Sequence, residues 1–162
     1  HFPFHRDHAG KRKRRAPADG RKAADHEGGG QGPGAVADAG EVVVSFDRMR
    51  RIIDFNALDR TMTVEPGVVT QAIQEYAAQR SLYYPVSFAS EGSSQIGGNI
   101  ATNAGGIRVL RYGLTRDQVA GLKVIDGRGA LLECNAGLVK NASGYDLRHL
   151  FIGSEGTLGL IV

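Results

Sequence analysis

"SSQIGGNIATNAGG", residues 93–106, holds four glycines, two asparagines and no charged side chain. Glycine loses more backbone freedom on ordering than any other residue, so such a run marks a place where something approaches the main chain closely. Two more glycine-rich segments lie elsewhere, "EGGGQGPGA" at 27–35 and "GSEGTLG" at 153–159. Backbone N–H groups in loops of this kind converge and cradle phosphate, as a helix N-terminus does. None of the three has the strand–loop–helix context of the dinucleotide fingerprint, and none ends in the Lys-Ser/Thr of a P-loop. Tight turns explain many single glycine loops. Three in one short chain favour a long ligand that carries polyphosphate.

The elements around these loops are short. "EVVVSF" (41–46) reads as a strand on its β-branched run, and "RIIDF" and "TMTVEPG" as two more, with Pro66-Gly67 as a turn. "VVTQAIQEYAAQR" puts Val69, Ala72, Ile73, Tyr76 and Ala77 on one helical face, capped by Thr70 or by the turn before it. "SLYYP" reads as a brief strand. "VAGLKVIDGRGALLECN" reads as two strands about a tight Asp126-Gly127-Arg128-Gly129 turn, and "GSEGTLGLIV" enters a last strand. The fold class is α+β, with short strands and few helices.

At 162 residues the chain has the size of one domain, and no apolar run is long enough to span a bilayer as a helix. The single cysteine, Cys134, excludes an internal disulfide and reads as a small buried hydrophobe. The net charge of +3 is local. Residues 1–40 hold eight Lys/Arg against five Asp/Glu, whereas the rest is balanced. Lys11 to Arg15, "KRKRR", lacks the interleaved aromatics that stack on bases, so it reads as solvated tail rather than a nucleic-acid site. Residues 1–26 show neither helical nor strand periodicity and hold four of the five histidines at irregular spacing, which supports no metal site. That segment reads as a disordered basic tail or a non-native stretch.

Residues 85–129, "PVSFASEGSSQIGGNIATNAGGIRVLRYGLTRDQVAGLKVIDGRG", and 140–162, "KNASGYDLRHLFIGSEGTLGLIV", carry a resemblance. The order GGN, ATNAGG, RYG, strand pair, GSEGTLG resembles the FAD-binding (PCMH-type) domain of the vanillyl-alcohol oxidase / p-cresol methylhydroxylase family. Within it, the D-2-hydroxyacid dehydrogenase branch is the most similar, and the likeness runs from about Gly34 to Val162. The resemblance implies FAD as cofactor. Pro85, Ser87, Ser94, Gln95, Ile96, Gly97, Gly98 and Asn99 would line the flavin and pyrophosphate through main-chain groups. Ala101, Thr102, Asn103, Ala104, Gly105 and Gly106 would continue along it, with Thr102 and Asn103 as side-chain donors. Glu155, Gly156, Thr157, Leu158, Gly159, Leu160 and Ile161 would meet the adenine and ribose. Gly28, Gly29, Gly30, Gln31 and Gly32 correspond to the family's pyrophosphate loop, although this loop is shorter and carries Pro33, which has no N–H to give.

The resemblance further implies non-covalent FAD, since the loops offer no His or Cys for attachment, and a 2-hydroxy acid as substrate of the whole enzyme. Residues 27–162 would be a partial FAD-binding domain without the family's substrate-binding cap, so no residue is assigned as catalytic and none as a metal ligand. The electron acceptor stays open, and the compartment is expected to be the cytoplasm. Rival readings are a truncated remnant that does not hold FAD stably and an NAD- or nucleotide-binding module. Residue by residue, plainer roles stand beside these. Arg111 and Arg116 read as surface charges, and Tyr112 as core or flavin-facing. Tyr145, Asp146 and His149 read as structural, next to a packing stripe of Leu147, Leu150 and Phe151.

Overall fold

The computed structural model describes residues 43–138 and 141–162, with the backbone of Phe2–Pro3 and His5–Arg6. The five-residue loop Gly28–Gly32 therefore lies outside the described residues. In chain order the elements are β1 (Phe2–Pro3), β2 (His5–Arg6), β3 (Ile52–Asn56), β4 (Thr61–Val64), α1 (Thr70–Ala78), β5 (Leu82–Tyr83), α2 (Ile96–Ala101) and α3 (Val109–Tyr112). After a 3₁₀ turn, Thr115–Gln118, come β6 (Leu122–Asp126), β7 (Leu131–Cys134), α4 (Arg148–Phe151) and β8 (Gly159–Ile161). All strand pairs are antiparallel: β1-β4-β3, β2-β5 and β7-β6-β8. This is the α+β class expected.

Each element has a local cause. In α1, Thr70, Ile73 and Ala77 fall on the buried face at helical spacing, while Ala72, expected there, is exposed. The N-cap is Val69, with no side-chain cap; Thr70 turns inward instead. The β6–β7 turn closes on Asp126, whose carboxylate accepts from the amides of Arg128 (2.9 Å) and Ala130 (2.8 Å), and Gly129 takes the left-handed φ of +80° the turn requires. β8 adds to the other edge of β6. Met62, Ile73, Tyr84, Val86, Ile96, Ile100, Val124, Phe151 and Ile161 form one core between these layers.

Three expectations change. Residues 43–46 form no strand: Val43 and Val44 are exposed and Phe46 is buried at a turn, where the Met49 amide donates to its carbonyl (2.9 Å). A β-branched run needs a partner edge, and a turn at Phe46 removes it. Second, "IGGNIA" is a helical turn and a half rather than loop. Two glycines weaken such a helix by about 1 kcal/mol each relative to alanine, and burial of Ile96 and Ile100 offsets this. Third, Leu147 and Leu150 are exposed, so they form no packing stripe; Phe151 alone of the three is buried.

Candidate functional site

Glycine-rich segments 93–106 and 153–159 come together around α2. The Ile96 and Gly97 amides donate to the Val68 and Pro66 carbonyls (both 2.8 Å), which seats the start of α2 on the turn before α1. Gly97 is there for packing: a Cβ would lie 2.7 Å from Pro66 Cβ and 3.1 Å from its carbonyl oxygen. Gly98, the next residue, differs. Among the described residues, a Cβ there meets nothing within 4 Å. One glycine of the pair is bare because protein is pressed against it, the other because its face is open.

Side chains hold this helix from below. Asn99, 6% exposed, donates from Nδ2 to Thr70 Oγ1 (2.6 Å), and that hydroxyl shares a hydrogen bond with Ser94 Oγ (2.9 Å). Gln95 Nε2 donates to Asp47 Oδ1 (2.7 Å), and Arg50, Ser45 and Gln95 together hold the Asp47 carboxyl below its ordinary range, Arg50 most strongly. Ser87 Oγ donates to Glu91 Oε2 (3.1 Å), to which Gln74 Nε2 also donates (3.1 Å). Pro85 is buried. Thus Ser87, Ser94 and Asn99 build the frame with their side chains, and the Ser94 and Asn99 amides are also spent, on the Ser90 and Gln95 carbonyls, which leaves the Ser87 amide.

The segment 101–106 leaves α2 through Asn103, in the left-handed region at φ 48°. Thr102 Oγ1 donates to the Gly98 carbonyl (2.9 Å) and Asn103 Oδ1 accepts from the Arg116 amide (3.0 Å). These two side chains, expected as donors to a cofactor, therefore have protein partners, Asn103 through its oxygen. Ala104 closes on Thr115, whose hydroxyl donates to its carbonyl (2.7 Å). Gly106 passes so close to Ser87 that a Cβ would sit 2.6 Å from the Ser87 carbonyl oxygen.

The third segment docks on the far end of the same helix. The Gly153 amide donates to the Ile100 carbonyl (3.0 Å), which also accepts from the Asn103 amide (3.0 Å), and the Glu155 amide donates to the Ala101 carbonyl (2.8 Å) at the C-terminus of α2. Glu155 is left-handed, φ 52°. Thr157 Oγ1 donates to the Ser154 carbonyl (2.6 Å), Leu158 is exposed, and Gly159, Leu160 and Ile161 enter the ladder with β6.

The amides expected to wrap a ligand fall into two sets. Those of Ile96, Gly97, Asn99, Thr102, Asn103, Ala104, Glu155 and Thr157 donate to protein carbonyls. Those of Ser87, Gln95, Gly98, Gly105, Gly106, Gly156 and Leu158 have no acceptor among the described residues. An open glycine face beside unpaired N–H groups suits an elongated anionic ligand.

Arg116, taken from sequence as a surface charge, has a structural post. Nη1 donates to the His149 carbonyl (3.0 Å) and to its Nδ1 (2.9 Å), and Nη2 to the Ile152 carbonyl (2.5 Å). No pattern in the sequence marks it, because its acceptors are main-chain atoms 33 and 36 residues away. Nearby, Asp146 binds Arg148 through Nε (2.8 Å), and this hydrogen bond holds the Asp146 carboxyl below its usual range. Arg148 Nη1 donates to the Val119 carbonyl (2.5 Å). Tyr145 is exposed, His149 Nε2 lies 3.5 Å from Asp146 Oδ2, and Tyr145 and Asp146 line a shallow cavity with Glu133, Cys134 and Asn135. Tyr112 is half-buried, with its ring 5.8 Å from that of Tyr83. Cys134 is buried and unpaired, and burial pushes its thiol pKa up.

A family model described as an FAD binding domain matches residues 26–135. Over 128 residues, 79% of the chain, it is 66% identical to the D-2-hydroxyglutarate dehydrogenase of Stutzerimonas stutzeri (strain A1501), covering 28% of that protein. It is 41% identical over 141 residues to the mitochondrial D-2-hydroxyglutarate dehydrogenase of Bos taurus, with 86% of this chain and 26% of the relative covered. The Bacillus subtilis (strain 168) glycolate oxidase subunit GlcD matches at 41% over 128 residues, 79% of this chain and 27% of the relative. The chain spans about a quarter of the length of these curated relatives. Among solved structures, an alkyldihydroxyacetonephosphate synthase superposes with a TM-score of 0.60 at 24% identity, covering 70% of this chain and 20% of that one, which is a likeness of fold.

Proposed function

This chain belongs to the FAD binding domain family, and from that premise we propose that it holds FAD as part of a flavoprotein oxidoreductase acting on a D-2-hydroxy acid. The observation that carries the reading is the open face of Gly98 beside unpaired amides. The amides of Gln95, Gly98, Gly105, Gly106 and Gly156 would donate to the cofactor's anionic and carbonyl oxygens. Hydrogen bonds to charged groups contribute about 1.5–3 kcal/mol each. The buried Asn99–Thr70–Ser94 chain keeps the start of α2 rigid, so little order is lost on binding.

When bound, the flavin supplies two-electron chemistry, accepting the hydride from the α-carbon of the hydroxy acid. The share of these residues is to bind and orient. No side chain among the described residues is assigned to proton transfer or to the substrate carboxylate. The 2-hydroxy acid class follows from the relatives' names, D-2-hydroxyglutarate dehydrogenase and glycolate oxidase subunit. FAD is held non-covalently in this reading, because 93–106 and 153–159 contain neither His nor Cys. Among the described residues no helix is long and apolar enough to cross a membrane. We read the compartment as the cytoplasm.

Titration of the 162-residue chain with FAD, followed by quenching of flavin fluorescence, tests the proposal. Saturable binding, with all flavin released on acid precipitation, is the expected result. Absence of binding at concentrations where the chain is folded refutes it.

A further inference from the structure

We propose that Arg116 is a positioning residue that latches the turn 152–156 onto the C-terminal end of α2 and thereby sets the spacing between the unpaired amides of the two loops. Its consequence for FAD affinity rests on the cofactor reading above; the latch itself does not.

Four bonds converge on this residue. Its own amide donates to Asn103 Oδ1 (3.0 Å), which ties the 3₁₀ turn to the exit of α2. The guanidinium then reaches forward to the carbonyls of His149 (3.0 Å) and Ile152 (2.5 Å) and to His149 Nδ1 (2.9 Å). Arginine has no acceptor atom, so His149 accepts at Nδ1 and carries its proton on Nε2. Gly153 threads the gap that results. A Cβ there would stand 3.3 Å from Asn103 Cβ and 3.4 Å from Arg116 Nη2, and φ is +84°. Immediately beyond, the Gly153 and Glu155 amides close on the Ile100 and Ala101 carbonyls. One residue thus joins the two sides of the junction, its main-chain amide holding the 101–106 side and its guanidinium the 149–153 side.

The chemistry suits a planar fork and not a point charge. Guanidinium spreads five donors in fixed directions, whereas an ammonium serves fewer separated acceptors at once. The acceptors are neutral, and no carboxylate among the described residues pairs with Arg116. Loss of the fork would leave the turn on its two bonds to α2 while the core below stays intact.

The test uses the full chain with Arg116→Gln and Arg116→Lys, reading amide hydrogen exchange and FAD titration. In Arg116→Gln the Gly153 and Glu155 amides exchange about tenfold faster or more, while the β6–β7 hairpin keeps its wild-type rates. FAD affinity falls about tenfold, and the visible circular dichroism of bound flavin changes. Arg116→Lys falls between wild type and Gln in both, and it replaces the Gln variant should that one fail to fold. Unchanged exchange at Gly153 and Glu155 overturns the latch. Accelerated exchange with wild-type FAD affinity and dichroism overturns the positioning role. A wild-type chain that binds no FAD overturns the cofactor reading and with it the ligand consequence, and exchange then decides the latch alone.

Discussion

Gly97 and Gly98 are neighbours in one short helix, and the structure assigns them opposite costs for the same methyl group. At Gly98 an added Cβ meets nothing within 4 Å among the described residues, and the backbone is helical. Gly98→Ala therefore gains helix propensity, up to about 1 kcal/mol, and raises the Tm of the ligand-free chain by roughly 2–4 °C for a domain of this size. At Gly97 the Cβ would meet Pro66 Cβ at 2.7 Å, a contact that must force a shift. Overpacking of this kind costs about 1–3 kcal/mol, so Gly97→Ala lowers Tm. Binding reverses the order of merit. The face freed at Gly98 is the one a ligand would use, and a methyl group there displaces it from the Gly98 amide. Loss of one hydrogen bond to a charged group costs about 1.5–3 kcal/mol, or roughly ten- to 150-fold in Kd. Thermal unfolding without ligand and FAD titration of both variants check this. A Gly98→Ala chain that is more stable and binds FAD as tightly as wild type refutes the assignment of that face; one that is destabilised refutes the local geometry.

Other outcomes follow from the same contacts. Asn99→Ala deletes the donor to Thr70 Oγ1 in a buried place, and chemical unfolding should show a loss of about 1–3 kcal/mol. Glu65 accepts from the Arg51 amide (2.7 Å) and Nε (2.9 Å), and chiefly this side-chain bond holds its carboxyl below the ordinary value. A depressed folded-state pKa stabilises above the unfolded value, so stability falls as pH drops below about 4.3. Unfolding scans at pH 6 and pH 3.5 should show a smaller difference for Glu65→Gln than for wild type, and equal differences would remove Glu65 from the account.

The sequence was most legible where a residue's neighbours in the chain are also its neighbours in space. The β6–β7 hairpin follows from Asp126 to Gly129 because the turn's hydrogen bonds close within four residues. The α1 face follows from spacing, apart from Ala72. Residues 43–46 of "EVVVSF" misled because strand propensity says nothing of whether a partner edge exists. Leu147 and Leu150 misled in the same way: a helical stripe is buried only if another element covers it, and α4 is one turn long.

By itself the sequence determined that glycine-rich segments dominate, that they occur in the order of an FAD binding domain, and that regular elements between them are short. Only the tertiary structure decided which glycines press on protein and which face open space, for Gly97 and Gly98 are chemically identical and differ only in what lies 3 Å away. It likewise decided which amides are spent on carbonyls, and that the Arg116 guanidinium donates to the His149 and Ile152 carbonyls. The physical reason is the same in each case. Glycine and arginine carry no periodic signature, and their roles are set by main-chain atoms that only folding brings within hydrogen-bonding distance.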